Sequence, residues 1–200
     1  MTDARQYAPS AHRNRDAICA VLAGHWPDGG TVLEVASGSG EHVIEFAKAA
    51  PHLSFQPSDP SPDALASTNA WVRQSGVQNV HPAVALDVTA ATWPITDLAM
   101  MICINMIHIA PWAATLGLLA GAGRTLKVGA TLWLYGPFIR DGIETAEGNL
   151  NFDEWLKDKD PRFGVRRLED VADVAADNGL ALADIIEMPA NNCLVGFRKG

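Results

Sequence analysis

Apolar positions along the chain alternate between two periods, and each change of period marks the border of an element. Runs of β-branched and long apolar residues at 31–35, 53–56, 80–86, 98–104, 130–135, 181–188 and 193–198 predict seven strands. Helical spacing over 10–24, 41–50, 62–75, 111–126, 153–157 and 168–178 predicts the helices between them. Ser10 stands where an N-cap belongs, with Ile18, Val21 and Leu22 on one helical face. Pro51 stops the second helix, and Gly76 and Gly179 end the third and the last. The run Leu98–Ile104 is the most hydrophobic of the strands, which predicts a mid-sheet position with both faces covered. Pro82 interrupts the third strand.

Strands that alternate with helices predict a doubly wound parallel α/β sheet with right-handed crossovers. Only residues 189–192 separate the last two strands, too few for a crossover, so that pair is antiparallel. The expected fold is one Rossmann-like sheet of seven strands, mostly parallel, with one antiparallel strand from the C-terminal hairpin. It forms a single domain over residues 1–200, and residues 1–30 are a helical extension that covers a pocket.

Composition narrows the possible partners. Acids outnumber bases 23 to 15, giving a net charge of −8 with no basic block, which argues against generic nucleic-acid binding. The longest apolar run, Leu98–Ile104, is too short for a bilayer span, and Asp3, Arg5, Arg13, Arg15 and Asp16 leave no signal-peptide core. Cys19, Cys103 and Cys193 have no paired spacing, which excludes a disulfide framework or zinc ribbon and points to a reducing cytoplasm. The His residues are dispersed, so no metal site is expected.

The candidate chemistry starts at Leu33-Glu34-Val35-Ala36-Ser37-Gly38-Ser39-Gly40-Glu41-His42. A glycine-containing turn from strand to helix lets a ligand approach free backbone N–H groups, although such a turn also needs glycine for its own geometry. A dinucleotide fingerprint needs glycine at 36, 38 and 41, whereas this chain has Ala36, Gly38 and Glu41. A carboxylate at the start of the helix opposes a pyrophosphate, so NAD fits poorly and S-adenosylmethionine fits without that conflict. Asp59 follows Gly38 by 21 residues, near the offset at which a carboxylate meets ribose hydroxyls. It could instead cap the helix at Pro62, a job open to Ser61 as well. Asp87 follows the third strand at the same edge, either as a partner for an adenine amino group or as a turn residue.

With these residues in place, the chain resembles a class I S-adenosylmethionine-dependent methyltransferase. More narrowly, it resembles the methyltransferase-like twenty-six family. The resemblance is carried by Ala11-His12-Arg13-Asn14, the turn from Leu33 to Gly40, Gln56-Pro57-Ser58-Asp59, Cys103-Ile104-Asn105-Met106, Tyr135-Gly136-Pro137 and Met188-Pro189-Ala190-Asn191-Asn192. It implies S-adenosylmethionine as cofactor, with Glu34, Gly38 and Gly40 near its methionyl part, Asp59 on the ribose and Asp87 near adenine. Ala36 departs from the glycine usual in the wider superfamily.

Methyl transfer is an in-line displacement that demands alignment of the nucleophile and exclusion of water, plus a base where the acceptor is a hydroxyl or an ammonium. His108, past the fourth strand, is the candidate base, or else a packed histidine. Asn105 orients acceptor or cofactor, or serves as a turn residue. Tyr135, at the end of the fifth strand, binds the acceptor or packs. Arg13 and Asn14 in the extension contact the methionyl carboxylate or the acceptor, or form a solvated helix face. Residues 136–148, with Arg140, Asp141 and Glu144, are long for a connection and read as a lid, with Asn149, Phe152 and Trp155 behind them as pocket walls. Asn191 and Asn192 read as turn residues.

The expected acceptor is a small molecule. Asn105-Met106-Ile107-His108 lacks the N/D-P-P-Y/F tetrad of amino-methylating nucleic-acid enzymes, and Cys103 lies inside a strand rather than in a Pro-Cys nucleophile context. Two alternatives stay open: a module that binds S-adenosylmethionine or S-adenosylhomocysteine without catalysis, and a methyltransferase acting on protein or RNA. Oligomeric state is not legible.

Overall fold

A computed structural model describes residues 3–200. In chain order the elements are α1 (Pro9–Leu22), β1 (Thr31–Val35), α2 (Glu41–Ala49), β2 (Ser54–Asp59), α3 (Pro62–Ser75), β3 (Val84–Ala85), β4 (Leu98–Ile104) and α4 (Trp112–Thr125). They continue with β5 (Leu126–Gly136), β6 (Phe138–Ile139), α5 (Glu147–Lys159), β7 (Arg166–Arg167), α6 (Leu168–Asp177), β8 (Leu180–Met188) and β9 (Asn192–Lys199).

Seven strands form one sheet in the order β3-β2-β1-β4-β5-β9-β8. The pairs from β3 to β5 are parallel, and β9 runs antiparallel to both β5 and β8. This is the doubly wound, mostly parallel sheet with one reversed strand expected from the alternation of elements. Side chains alternate across it and divide the core in two. Leu33, Met101, Leu132 and Phe197 pack with Leu118, Val171 and Ala175 of α4 and α6 on one face. Val32, Phe55, Ile102 and Trp133 pack with Ile18, Leu22, Val43 and Phe46 of α1 and α2 on the other.

Several boundaries differ from the expected ones for local reasons. The strand expected at 80–86 shrinks to Val84–Ala85 plus a single bridge from Val80 to Phe55, because Pro82 brings no N–H to the ladder. β2 runs on to Asp59, past Pro57. Phe55 and Asp59 bond toward the β3 side, through the Phe55–Val80 bridge and the pairs at Ser58 and Asp59, and no pair on that side falls at Pro57, so its missing N–H costs no ladder bond. α1 starts at Pro9 with Ala8 at its N-cap, so Ser10 does not cap it. Proline is suited to the first helical turn, where an N–H would lack a partner. The helix expected at 153–157 begins at Glu147, and β5 begins at Leu126. The pair β6 and β7 forms a small second sheet with no signal in the hydrophobic pattern.

The strand order reverses between β1 and β4, which opens a crevice beyond their carboxyl ends. Register places the ends together: Val35 pairs with Ser58 and with Cys103, and Ile104 pairs with Tyr135. The turn after β1, Asp59, Asn105 and Gly136 therefore share one edge of the sheet.

Candidate functional site

The turn from β1 to α2 is bound to the end of β2. Ser37 N–H donates to the Ser58 carbonyl at 2.9 Å, and the Ser58 hydroxyl donates to the Glu34 carbonyl at 2.8 Å. Gly38 N–H donates to Asp59 Oδ2 at 3.0 Å, while Ser61 N–H donates to Oδ1 at 2.9 Å. Ser61 itself caps α3, so Asp59 is not the helix cap. Each Asp59 oxygen accepts one backbone bond, which leaves lone pairs for a further donor, and the residue is 8% exposed.

The two glycines of the turn differ in what requires them. Gly40 has φ 90°, and a Cβ there would stand 2.6 Å from the Cα of Thr68, so its lack of a side chain lets α3 approach the turn. Gly38 has φ 55°, and the nearest atom to an added Cβ is 4.0 Å away. Packing does not demand glycine at Gly38; its left-handed φ is what favours it. Ala36 holds φ 56°, a left-handed conformation costly for any residue with a Cβ.

Glu34 is buried at the end of β1, and its Oε2 has no hydrogen-bond partner among the described residues. Burial, helped by the nearby charge of Asp59, pushes its pKa up to about 8 against an opposing bond from Ser37. Burial thus favours its neutral form. Asp87 is exposed and accepts from Thr89 N–H at 2.9 Å and from the Thr89 hydroxyl at 2.7 Å, bonds that hold its carboxyl below the usual range. Leu86 N–H donates to the Asp59 carbonyl at 3.2 Å, which sets Asp87 beside that end of the edge.

Asn105 takes φ 59° at the turn after β4 and donates its N–H to the Tyr135 carbonyl at 2.8 Å. His108 is wholly buried rather than open to the crevice. Its Nδ1 accepts from Arg166 N–H at 3.3 Å, so the proton of the neutral ring sits on Nε2. Burial and the Arg166 charge depress its pKa to about 3. The expectation of a near-neutral base at His108 gives way to a neutral donor. Its Nε2–H has no partner among the described residues and faces Gly136, where an added Cβ would lie 2.4 Å from Nε2 and 3.3 Å from Asn105 Oδ1.

Arg166, not anticipated from sequence, clamps this loop. Its guanidinium donates to the Ile107 carbonyl at 2.8 Å and the Ala110 carbonyl at 2.7 Å, and Gly164 N–H donates to the His108 carbonyl at 2.9 Å. No local motif announces a contact made across 59 positions of sequence.

Tyr135 is buried in the core face shared with α1, not extended along the edge. Burial raises its pKa, opposed by a hydrogen bond from Asn14. Asn14 is 9% exposed, and its Oδ1 lies 2.8 Å from Nε2 of His42, whose pKa burial lowers to about 4. Arg13 is exposed. The extension is nevertheless bonded next to the turn. Ala8 N–H donates to Glu41 Oε2 at 2.7 Å, Ser39 hydroxyl to the same oxygen at 2.9 Å, and Gln6 N–H to Ser67 Oγ at 2.8 Å. Ser67 in turn donates to the Ser39 carbonyl at 2.7 Å.

Residues 136–148 carry two ion pairs to later elements of the chain. Arg140 pairs with Glu187 at 2.6 Å, and Asp141 pairs with Arg167. A cleft of about 150 Å³ opens beneath this segment, with Asn149 in its wall. Phe152 and Trp155 stack on each other instead, and Trp155 is 53% exposed. Asn191 has φ 56°, in keeping with a turn residue. No cluster of three or more metal-ligating side chains occurs among the described residues, and no helix in them is long and apolar enough to cross a membrane.

Solved structures share this fold. An O-methyltransferase family protein from Burkholderia thailandensis matches with TM-score 0.81 at 14% identity, over 96% of this chain and 56% of its own. Mitomycin 7-O-methyltransferase matches with TM-score 0.82 at 14% identity, over 96% and 54%. An O-methyltransferase family 2 protein from Planctomyces limnophilus DSM 3776, solved in complex with apigenin, matches with TM-score 0.79 at 19% identity, over 96% and 60%. This chain therefore spans little more than half the length of those proteins. A family model covers residues 5–199, and the chain belongs to that family, described as "Protein of unknown function (DUF938)".

Proposed function

We propose that this chain is an S-adenosylmethionine-dependent methyltransferase that acts on a small-molecule acceptor in the cytoplasm. The narrower likeness to the methyltransferase-like twenty-six family belongs to the same proposal, as does a single domain whose residues 1–30 cover the cofactor side. The observation that carries it is the Asp59 carboxylate held against Gly38 N–H at 3.0 Å, with spare lone pairs and open space at Gly38. A carboxylate so placed suits a ribose diol. The solved structures of like fold carry O-methyltransferase descriptions, which supports the reading.

The residues present fit the cofactor. Asp59 would hold the ribose, Asp87 the adenine end, and Glu34, with its unpartnered buried oxygen, the methionyl end near Gly38 and Gly40. Ala36, Asn105, Arg13 and Asn14 complete the proposed surroundings. When bound, S-adenosylmethionine supplies an electrophilic methyl group. The chain itself positions the acceptor and keeps water out. His108 contributes an Nε2–H donor, Asn105 its carboxamide, and Tyr135 keeps its phenolic proton.

Calorimetric titration with S-adenosylhomocysteine and, separately, with NADH tests the reading. Binding of the former alone supports it; binding of NADH alone overturns it.

A further inference from the structure

We propose that the cleft between β6, the start of α5 and the β8–β9 turn is the acceptor site, and that it takes a small primary amine with an apolar body. The inference rests on the methyltransferase reading above and specifies its substrate class.

Position is the first argument. Cys193 lines the cleft and pairs across the sheet with Gly136, the residue faced by His108 Nε2 and Asn105 Oδ1. Phe138, another wall, stacks edge-on against His108 at 5.1 Å. The cleft thus adjoins the carboxyl end of β5 and the loop after β4.

Size is the second. About 150 Å³ is below the roughly 300–1,000 Å³ of sites for drug-sized ligands.

Its chemistry is the third. Asn149 is 9% exposed and lines the cleft; its Nδ2 donates to the Asn191 carbonyl at 2.9 Å, while its Oδ1 accepts from no group among the described residues. Glu144 also lines the cleft, exposed and with no ion pair among the described residues. Arg140, the cation of this wall, is already engaged by Glu187 at 2.6 Å. Arg140 keeps free N–H donors, but its charge is matched by Glu187, so the net charge of the wall is the one carried by Glu144, which calls for a positively charged ligand whose donors meet Asn149 Oδ1. Phe138 and Ile143 supply apolar wall for its body. The reacting edge agrees. His108 offers a donor and Tyr135 keeps its proton, so a hydroxyl acceptor would lack a base there. An amine bound as its ammonium ion must also give up one proton before its nitrogen can form a bond to carbon, and the Glu144 carboxylate in the same cleft is the group that takes it.

The test is a titration of the isotope-labelled chain with benzylamine, benzyl alcohol and benzoate, a cationic, a neutral and an anionic ligand of similar shape. Amide shifts of residues 138–149 and of Asn149 and Asn191 side chains are followed by nuclear magnetic resonance. Benzylamine is expected to move these signals and to bind at least about fivefold tighter than the other two, and Glu144→Gln to weaken it at least about threefold. Benzoate binding as tightly, shifts confined to other regions, or no effect of Glu144→Gln would overturn the assignment. A parallel titration with S-adenosylhomocysteine separates the two failures. If it binds while benzylamine fails, the cleft assignment falls alone; if only benzylamine binds, the cofactor reading falls and the amine site stands.

Discussion

Gly38 N–H donates to Asp59 Oδ2 at 3.0 Å, which joins the turn after the first strand to the last residue of the second. The bond fixes the carboxylate beside the turn after β1 without exhausting its lone pairs. It also explains why the turn can hold Ala36 at φ 56°, since Ser37 and Gly38 on the next positions are fixed by Ser58 and Asp59.

The two turn glycines should separate in stability measurements. Gly40→Ala forces a Cβ onto the Thr68 backbone at positive φ and should cost about 2–4 kcal/mol in urea unfolding, overpacking added to strain. Gly38→Ala meets no neighbour and should cost only about 1–2 kcal/mol. Equal losses would contradict the distinct roles assigned to them.

Buried titratable groups set opposite pH dependences. Glu34 has a folded pKa raised to about 8, above the ordinary 4.5 of a glutamate, so its contribution is whole below 4.5 and is lost as pH rises through 8. His108 and His42 have folded values lowered to about 3 and about 4, so theirs are whole above 6.5 and are lost on acidification. Glu34→Gln should therefore gain stability relative to the parent between pH 5 and 9, by at least about 2 kcal/mol. A difference constant over that range would show that Glu34 ionises normally.

Removing the clamp on the loop after β4 should loosen His108. Arg166→Ala deletes the bonds to Ile107, Ala110 and Arg162 and the stacking over Trp112, for a loss of about 2–4 kcal/mol. Amide hydrogen exchange at residues 105–110 should accelerate more than the global loss explains. Uniform acceleration across the sheet would deny the clamp a local role.

Much of the fold is legible in the hydrophobic pattern because strands buried on both faces write themselves as apolar runs. Leu98–Ile104 is unbroken, Thr31–Val35 is interrupted by Glu34, and both stand where the pattern places them. The edge strand at Val84–Ala85 and the start of α5 are less legible, since neither buries enough apolar surface to impose a period. In the site, Asp59 and the glycines are marked by spacing from a strand end. The surroundings of His108 are not, because its burial and tautomer depend on Gly164 and Arg166, brought in by later elements. Tyr135 misleads in a simpler way: the alternation of a strand turns it onto the α1 face, beside Asn14.

Isothermal titration of S-adenosylhomocysteine into the parent chain and Asp59→Ala examines the proposed ribose-binding role of this carboxylate directly. The parent should bind, and the variant should lose about 1–3 kcal/mol of affinity, about 5- to 150-fold, while still unfolding cooperatively. Equal affinity in a folded variant, or no binding to the parent at all, would contradict it.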